Sequence, residues 1–225
     1  MKKSLLTILF LIAPAISMAQ GYGSGRAQSW DFAVGGIYQY GDASDGSSGS
    51  SLDVDSAFGL GFNVGYNFNN HFNISADFDF LRPDYTATII SEPNPPDGSP
   101  PVQTDINHRL SQFNGRLKGT FYFTEGPLVP YVEAGFGWTY LDSNVADGPP
   151  SGYCWWHPWW GYICQSFNST FSSTETTYGG ELGLRYELAG GTFIKASYNV
   201  WKLDTGSDRA DPQLESFRLE YGWRF

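Results

Sequence analysis

Eight times along this chain, large apolar side chains take every second position, and the positions between them hold glycine, small polar residues or charges. The second run is the cleanest: Phe58, Leu60, Phe62, Val64, Tyr66 and Phe68 alternate with Gly59, Gly61, Asn63, Gly65 and Asn67. Trp30 to Tyr40 does the same before it, with Asp31, Ala33, Gly35, Ile37 and Gln39 on the other face. The third run sets Phe72, Ile74, Ala76, Phe78 and Phe80 against Asn73, Ser75, Asp77 and Asp79. The fourth sets Phe113, Leu117, Phe121 and Phe123 against Gln112, Asn114, Arg116, Lys118 and Thr120. Val132 to Tyr140, Tyr178 to Leu188, Ile194 to Val200 and Phe217 to Phe225 complete the set; their second faces carry Glu133, Glu181, Arg185, Glu187, Lys195, Arg218 and Glu220. A period of two belongs to strands, whose successive side chains point to opposite faces. No helical period competes, so the chain reads as all-β.

The connections alternate in length. About 15 residues join the first two runs, and Asn69-Asn70 turns the second into the third. A long segment (about Arg82 to Ile106) is followed by the short Thr124-Glu125-Gly126-Pro127, and a longer one (about Asp142 to Ser173) by Ala189-Gly190-Gly191. An even set of antiparallel strands with turns at one end and loops at the other predicts an eight-stranded up-and-down transmembrane β-barrel. The contents of the two faces say which is outside. Eight strands enclose a space only just wide enough to be filled by side chains. The large apolar groups of all eight runs exceed that space, whereas Gly, Ser, Asn, Thr and paired charges suit it. The apolar face therefore meets lipid, where a charge near the midplane costs about 2–4 kcal/mol. Closure also pairs every backbone polar group in a medium without water. Arg116, Lys118, Arg185, Lys195 and Arg218 have Asp77, Asp79, Glu133, Glu181 and Glu220 as expected lumen partners. Trp30, Tyr40, Tyr66, Trp138, Tyr140 and Trp223 fit interfacial girdles near the strand ends.

The N-terminus supports export. Lys2-Lys3 precede an apolar stretch to Ile16, and Ser17-Met18-Ala19 places small residues before Gln20. This predicts a signal peptide over 1–19, cleaved between Ala19 and Gln20. A flexible segment over 20–28 and the barrel over 29–225 follow. Loss of Lys2 and Lys3 takes the formal charge from −10 to −12, a sign that excludes nucleic-acid binding by counterion release. Charged residues make up 16% and aromatics 17%, against about 25% charged in ordinary soluble domains. After Ala19 no apolar run reaches the ~18 residues of a membrane-spanning helix.

The last strand reads Tyr221-Gly222-Trp223-Arg224-Phe225, and Pro130-Tyr131-Val132-Glu133-Ala134-Gly135-Phe136-Gly137 forms a Pro-Tyr…Gly-x-Gly strand. In these stretches, and in its whole layout, the chain resembles the small outer-membrane barrels typified by the OmpA membrane domain, OmpX and OmpW. The resemblance implies location in the Gram-negative outer membrane and contact with its lipid and lipopolysaccharide. It implies that Tyr221, Trp223 and Phe225 form the signal read by the barrel-assembly machinery. It leaves function open, because the family hosts several. A monomer is expected, and neither cofactor nor metal.

The sharpest local feature is Cys154-Trp155-Trp156-His157-Pro158-Trp159-Trp160-Gly161-Tyr162-Ile163-Cys164, in the longest loop. A Cys154–Cys164 disulfide would close a ring of about ten residues, worth roughly 2.5–3 kcal/mol. Free thiols are the other reading, since two Cys and one His fall short of the usual four zinc ligands. Trp155, Trp156, Trp159 and Trp160 either cap the barrel mouth or form an anchor for a host or glycan ligand. Gly41 to Ser56, ending in Asp53-Val54-Asp55, reads as a solvated loop without EF-hand spacing. Catalysis is not expected. His71 lies beside a turn, His157 in the Trp loop, and His108 starts the fourth strand, where Ser111 three residues on falls on the opposite face. The expected role is structural or surface-interacting (adhesion, envelope integrity). The alternative is an OmpW-like conduit for small hydrophobic molecules, lined by the inward Tyr131, Leu141 and Trp201.

Overall fold

The computed structural model describes residues 25–45, 51–91, 102–146, 151–159, 161–167, 170–204 and 212–225. Strands follow in the order β1 (Ser29–Gln39), β2 (Asp42–Asp45), β3 (Ser51–Val54), β4 (Ala57–Asn67), β5 (Phe72–Leu81), β6 (Asp84–Ser91) and β7 (Val102–Arg109). They continue with β8 (Ser111–Tyr122), β9 (Leu128–Ala146), β10 (Ser151–His157), β11 (Gly161–Phe167), β12 (Thr170–Glu187), β13 (Thr192–Asp204) and β14 (Gln213–Arg224). Among the described residues there is no helix. Eight strands close an antiparallel barrel in the order β1-β14-β13-β12-β9-β8-β5-β4.

Each alternating run of the sequence is one barrel strand with its faces as expected. Phe58 is 81% exposed on the outer wall, whereas Asp77, Lys118 and Glu133 are each 1% exposed inside. That is the inverse of a water-soluble barrel. The seam is made by the chain's two terminal strands. Phe32 faces Trp223 and Tyr38 faces Phe217 across β1 and β14. Trp30 and Phe225 exchange backbone bonds of 2.8 and 3.0 Å. Outward aromatics pair at both rims: Trp30 with Tyr66 at 5.2 Å and Tyr221 with Trp223 at 5.0 Å near the turn end, Tyr38 with Phe58 at 4.9 Å and Phe80 with Phe113 at 4.7 Å near the loop end.

The tight turns have local causes. Asn69 Oδ1 accepts from the backbone N–H of His71 and of Phe72, both at 2.8 Å, which holds the β4–β5 turn. Gly190 and Gly191 have φ of 80° and 77°, a conformation that costs glycine little, and Leu188 N donates to Thr192 O at 2.8 Å around them.

The long connections differ from the sequence expectation. Gly41 to Ser56, expected as a solvated loop, contains β2 and β3, and the segment after Arg82 contains β6 and most of β7. These four strands make a second sheet in the order β2-β3-β6-β7. His108 belongs to this sheet, opposite Tyr85, and does not start the fourth barrel strand, which opens at Ser111. Within the expected loop after Asp142, β9 runs on to Ala146, β12 begins at Thr170, and β10 and β11 form a separate hairpin. The cause is tertiary. Tyr85 Oη donates to Ser143 O at 3.0 Å, and the Asn144 amide, in a left-handed backbone (φ 55°), donates to Arg109 O. Burial at this junction raises the Tyr85 phenol above its usual pKa.

At the inward-facing Gly137 of β9 the backbone of β8 leaves no room for a side chain. A Cβ built on Gly137 would lie 2.0 Å from Gly115 O, so the backbone itself occupies the space. Gly137→Val is expected to cost at least about 1–3 kcal/mol, lowering the folded fraction on refolding into vesicles, read by the heat-dependent gel shift of a closed barrel. A wild-type folded fraction would contradict this packing.

Candidate functional site

The lumen is packed in layers. At the turn end Arg185 binds Asp31 and, at 2.8 Å, Glu187; Arg26 and Arg224 reach Glu187 at 3.4 and 3.5 Å. Arg26 also donates to the carbonyls of Asn70 at 2.6 Å and Thr124 at 2.9 Å, bridging two turns. The next layer is aromatic. Tyr122 and Tyr131 meet at 5.9 Å, the Arg185 guanidinium lies 3.6 Å from the Phe193 ring centre, and Lys195 Nζ lies 4.7 Å from that of Tyr131. Cations thus cover ring faces from both sides, a favourable arrangement where water is excluded.

The central layer is the densest. Lys118 Nζ contacts Asp77 at 2.6 Å, Glu133 at 2.7 Å and Glu181 more closely still. Lys195 binds Glu133 at 2.7 Å and Glu220 at 3.6 Å. Arg218 binds Asp77 at 2.9 Å, Asp79 at 2.6 Å and Glu220 at 3.2 Å, and Arg116 binds Asp79 at 2.7 Å. Above it the Arg116 guanidinium lies 4.5 Å from the Trp201 ring centre. An amide layer follows, in which Gln39 and Gln112 exchange side-chain bonds of 3.2 and 3.1 Å. Gln112 and Thr139 both donate to Asn114, at 3.2 and 2.7 Å.

The charges balance. Asp31, Asp77, Asp79, Glu133, Glu181, Glu187 and Glu220 face Arg26, Arg116, Lys118, Arg185, Lys195, Arg218 and Arg224, seven against seven. All five expected lumen cations and all five expected carboxylates are in the network. Asp31 and Glu187 join them, and sequence parity already turns both inward. Arg26 carries no such signal, since it precedes the first alternating run. Tyr131 and Trp201, expected to line a passage, are each 1% exposed within this packing, and Leu141 is half-buried.

Outside the barrel, β10 and β11 set Cys154 opposite Cys164, Trp155 opposite Ile163 and Trp156 opposite Tyr162 in register. Trp156, Trp159 and Tyr162 are 73%, 86% and 67% exposed. Trp160 lies outside the described residues, as do Ala19 and Gln20 at the expected cleavage site. Ser111 Oγ accepts from Asn144 at 3.3 Å, while His108 sits on the neighbouring sheet. Tyr221, Trp223 and Phe225 face outward beside the seam.

An inverted, closed, eight-stranded barrel with a polar core fits one class of protein, and residues 4–225 match the family model for the outer membrane protein beta-barrel domain. The chain belongs to this family. It is an outer-membrane protein, and its apolar wall faces the lipid of that membrane. Ail, the attachment invasion locus protein of Yersinia pestis, solved with the heparin analogue sucrose octasulfate, is 16% identical. The match covers 88% of this chain and 99% of that one, with a TM-score of 0.50. OprG from Pseudomonas aeruginosa is 15% identical over 90% of this chain and 98% of its own, with a TM-score of 0.51. Both likenesses are of fold. No curated protein matches the sequence.

Lys118 is the hub on which the central layer turns. Lys118→Met leaves three buried carboxylates without their shared cation, and removing one partner of a buried ion pair typically costs about 3–5 kcal/mol. A loss of that size is expected in urea unfolding from lipid vesicles, with partial recovery in Lys118→Met/Glu181→Gln. An unchanged unfolding midpoint would show that the hub contributes nothing to stability.

Proposed function

We propose that this barrel is a non-catalytic outer-membrane protein with a structural and surface-interaction role, and that the β10–β11 hairpin is its contact surface. The observation that carries the reading is the hairpin's composition and exposure. From Ser151 to Phe167 there is no Asp, Glu, Lys or Arg, yet Trp156, Trp159 and Tyr162 are largely exposed. Exposed rigid aromatics in a charge-free segment suit stacking on a neutral partner, and Trp and Tyr dominate binding hot spots. Loops and sheets at this end face outward in barrels of this class. A Cys154–Cys164 disulfide belongs to the proposal: residues directly opposite in an antiparallel pair have Cα atoms about 4.5–5.5 Å apart, within the range a disulfide spans. Removal of residues 1–19 and reading of Tyr221, Trp223 and Phe225 by the assembly machinery also belong to it.

The partner class follows from charge. Among the described residues of the loop end, Asp42, Asp45, Asp53, Asp55, Asp84, Asp105, Asp142, Glu175, Asp204 and Glu215 outnumber Arg82, Arg109 and Lys202. Taken as a whole, that surface disfavours a polysulfated ligand of the kind bound to Ail and favours a neutral glycan at the hairpin. The alternative, a conduit for small hydrophobic molecules, would require the layer of Trp201 and Arg116 to open.

Binding of the refolded barrel to immobilised neutral and sulfated oligosaccharides tests the proposal. Neutral sugars are expected to bind, and Trp156→Ala/Trp159→Ala to lose at least about tenfold in affinity, the scale of a hot-spot pair. Reduction of the disulfide should weaken the same binding. Wild-type affinity in the double variant, or a preference for sulfated sugars, would sink the proposal.

A further inference from the structure

Strand β5 stops at Leu81 and β6 starts at Asp84, with Arg82 and Pro83 between them. The ladder carries on across this break: Asp55 N donates to Asp84 O at 2.9 Å, and Leu110 N to Pro83 O at 2.8 Å. Beside the junction lies a cavity of about 760 Å³. Phe58, Leu60, Phe80, Phe113 and Tyr140, all from the outward faces of their strands, line it together with Arg82. The cavity therefore opens into the lipid-facing wall near the loop-end rim. Its volume lies within the roughly 300–1,000 Å³ typical of small-molecule sites.

Arg82 is unlike the other arginines. Every other arginine among the described residues has a carboxylate partner within 4 Å, including the exposed Arg109, held by Asp84 at 2.9 Å. Arg82 has none among the described residues, although the rim around it is rich in aspartate. A guanidinium with no carboxylate partner among the described residues, beside an apolar groove, asks for a ligand with two ends. The fork of an arginine matches phosphate oxygens in pairs, and aromatic and leucine walls open to the bilayer match an acyl chain. A soluble anion would leave the walls unused, and a zwitterionic lipid would bring a cation towards Arg82.

We propose that this groove is a binding site for a phosphorylated glycolipid of the outer leaflet, of the lipid A type. One acyl chain lies along Phe58, Leu60, Phe80 and Phe113, and a phosphate is held by Arg82. The site is separate from the aromatic hairpin, so it stands whether or not the hairpin binds a glycan.

Native mass spectrometry of the refolded full barrel, loaded with bisphosphorylated lipid A or with phosphatidylethanolamine, tests this. One lipid A is expected to remain per barrel at detergent levels that strip phosphatidylethanolamine. Arg82→Ala is expected to lower that retention at least about tenfold, the scale of one charge-assisted hydrogen bond. Leu60→Trp, which fills the groove and keeps the charge, is expected to lower it as well. Lys202→Ala removes a second rim cation, one not on the groove, and should leave retention unchanged. All variants are compared only in their folded form, identified by gel shift. Equal retention of the two lipids, retention in Arg82→Ala at the wild-type level, or an equal loss in Lys202→Ala would overturn the proposal.

Discussion

Lys118 lies within reach of three carboxylates inside a space where water is scarce, and the rest of the lumen is arranged around that fact. A buried charge is tolerated only when it is paired and hydrogen-bonded. Each carboxylate that Lys118 holds is shared with another cation or hydrogen-bond donor: Asp77 with Arg218, Glu133 with Lys195, Glu181 with Ser197. The pairing therefore extends along the barrel axis until it meets the aromatic layer at one end and Trp201 at the other. Pairing of this kind does not by itself make a protein more stable than an apolar core would. It allows a barrel turned outward to lipid to fill its inside with charges that each have a partner.

Balance in the lumen means that the protein's negative charge lies elsewhere. With seven carboxylates matched by seven cations inside, the acidic excess is left to the loop end. That surface holds two departures from its own character, a hairpin without charged residues and an arginine without a carboxylate partner among the described residues. Departures from a local rule that no fold requirement explains are where function is expected. Both lie beyond the ion-packed layers, so in the roles proposed for them the barrel serves as a mount and the contacts are made at its rim.

The barrel was legible because its signal is repeated and local. Period-two alternation at Phe58 to Phe68 or Phe72 to Phe80 needs no tertiary information, and parity alone turned Asp77, Lys118, Glu133 and Arg218 inward. The second sheet was not legible, for a physical reason. Strands such as Asp42–Asp45 and Ser51–Val54 are short and polar, with no buried face to force alternation, and their order depends on pairing with β6. The β9 extension through Asn144 is held by contacts from far along the chain, among them Tyr85 Oη to Ser143 O and the Asn144 amide to a carbonyl 35 residues away. That Arg82 has no carboxylate partner among the described residues was invisible for a related cause, since a sequence shows a cation and not whether a partner stands near it. Arg26 escaped notice because a buried residue before the first strand is set by turns far along the chain.

The lumen is a closed, neutral, ion-packed core. Planar-bilayer recording of the refolded wild-type barrel measures this most directly. A silent bilayer is expected from protein shown to be folded and inserted. Discrete, reproducible openings would contradict it, because they would require a continuous water path through the layers of Lys118 and Trp201.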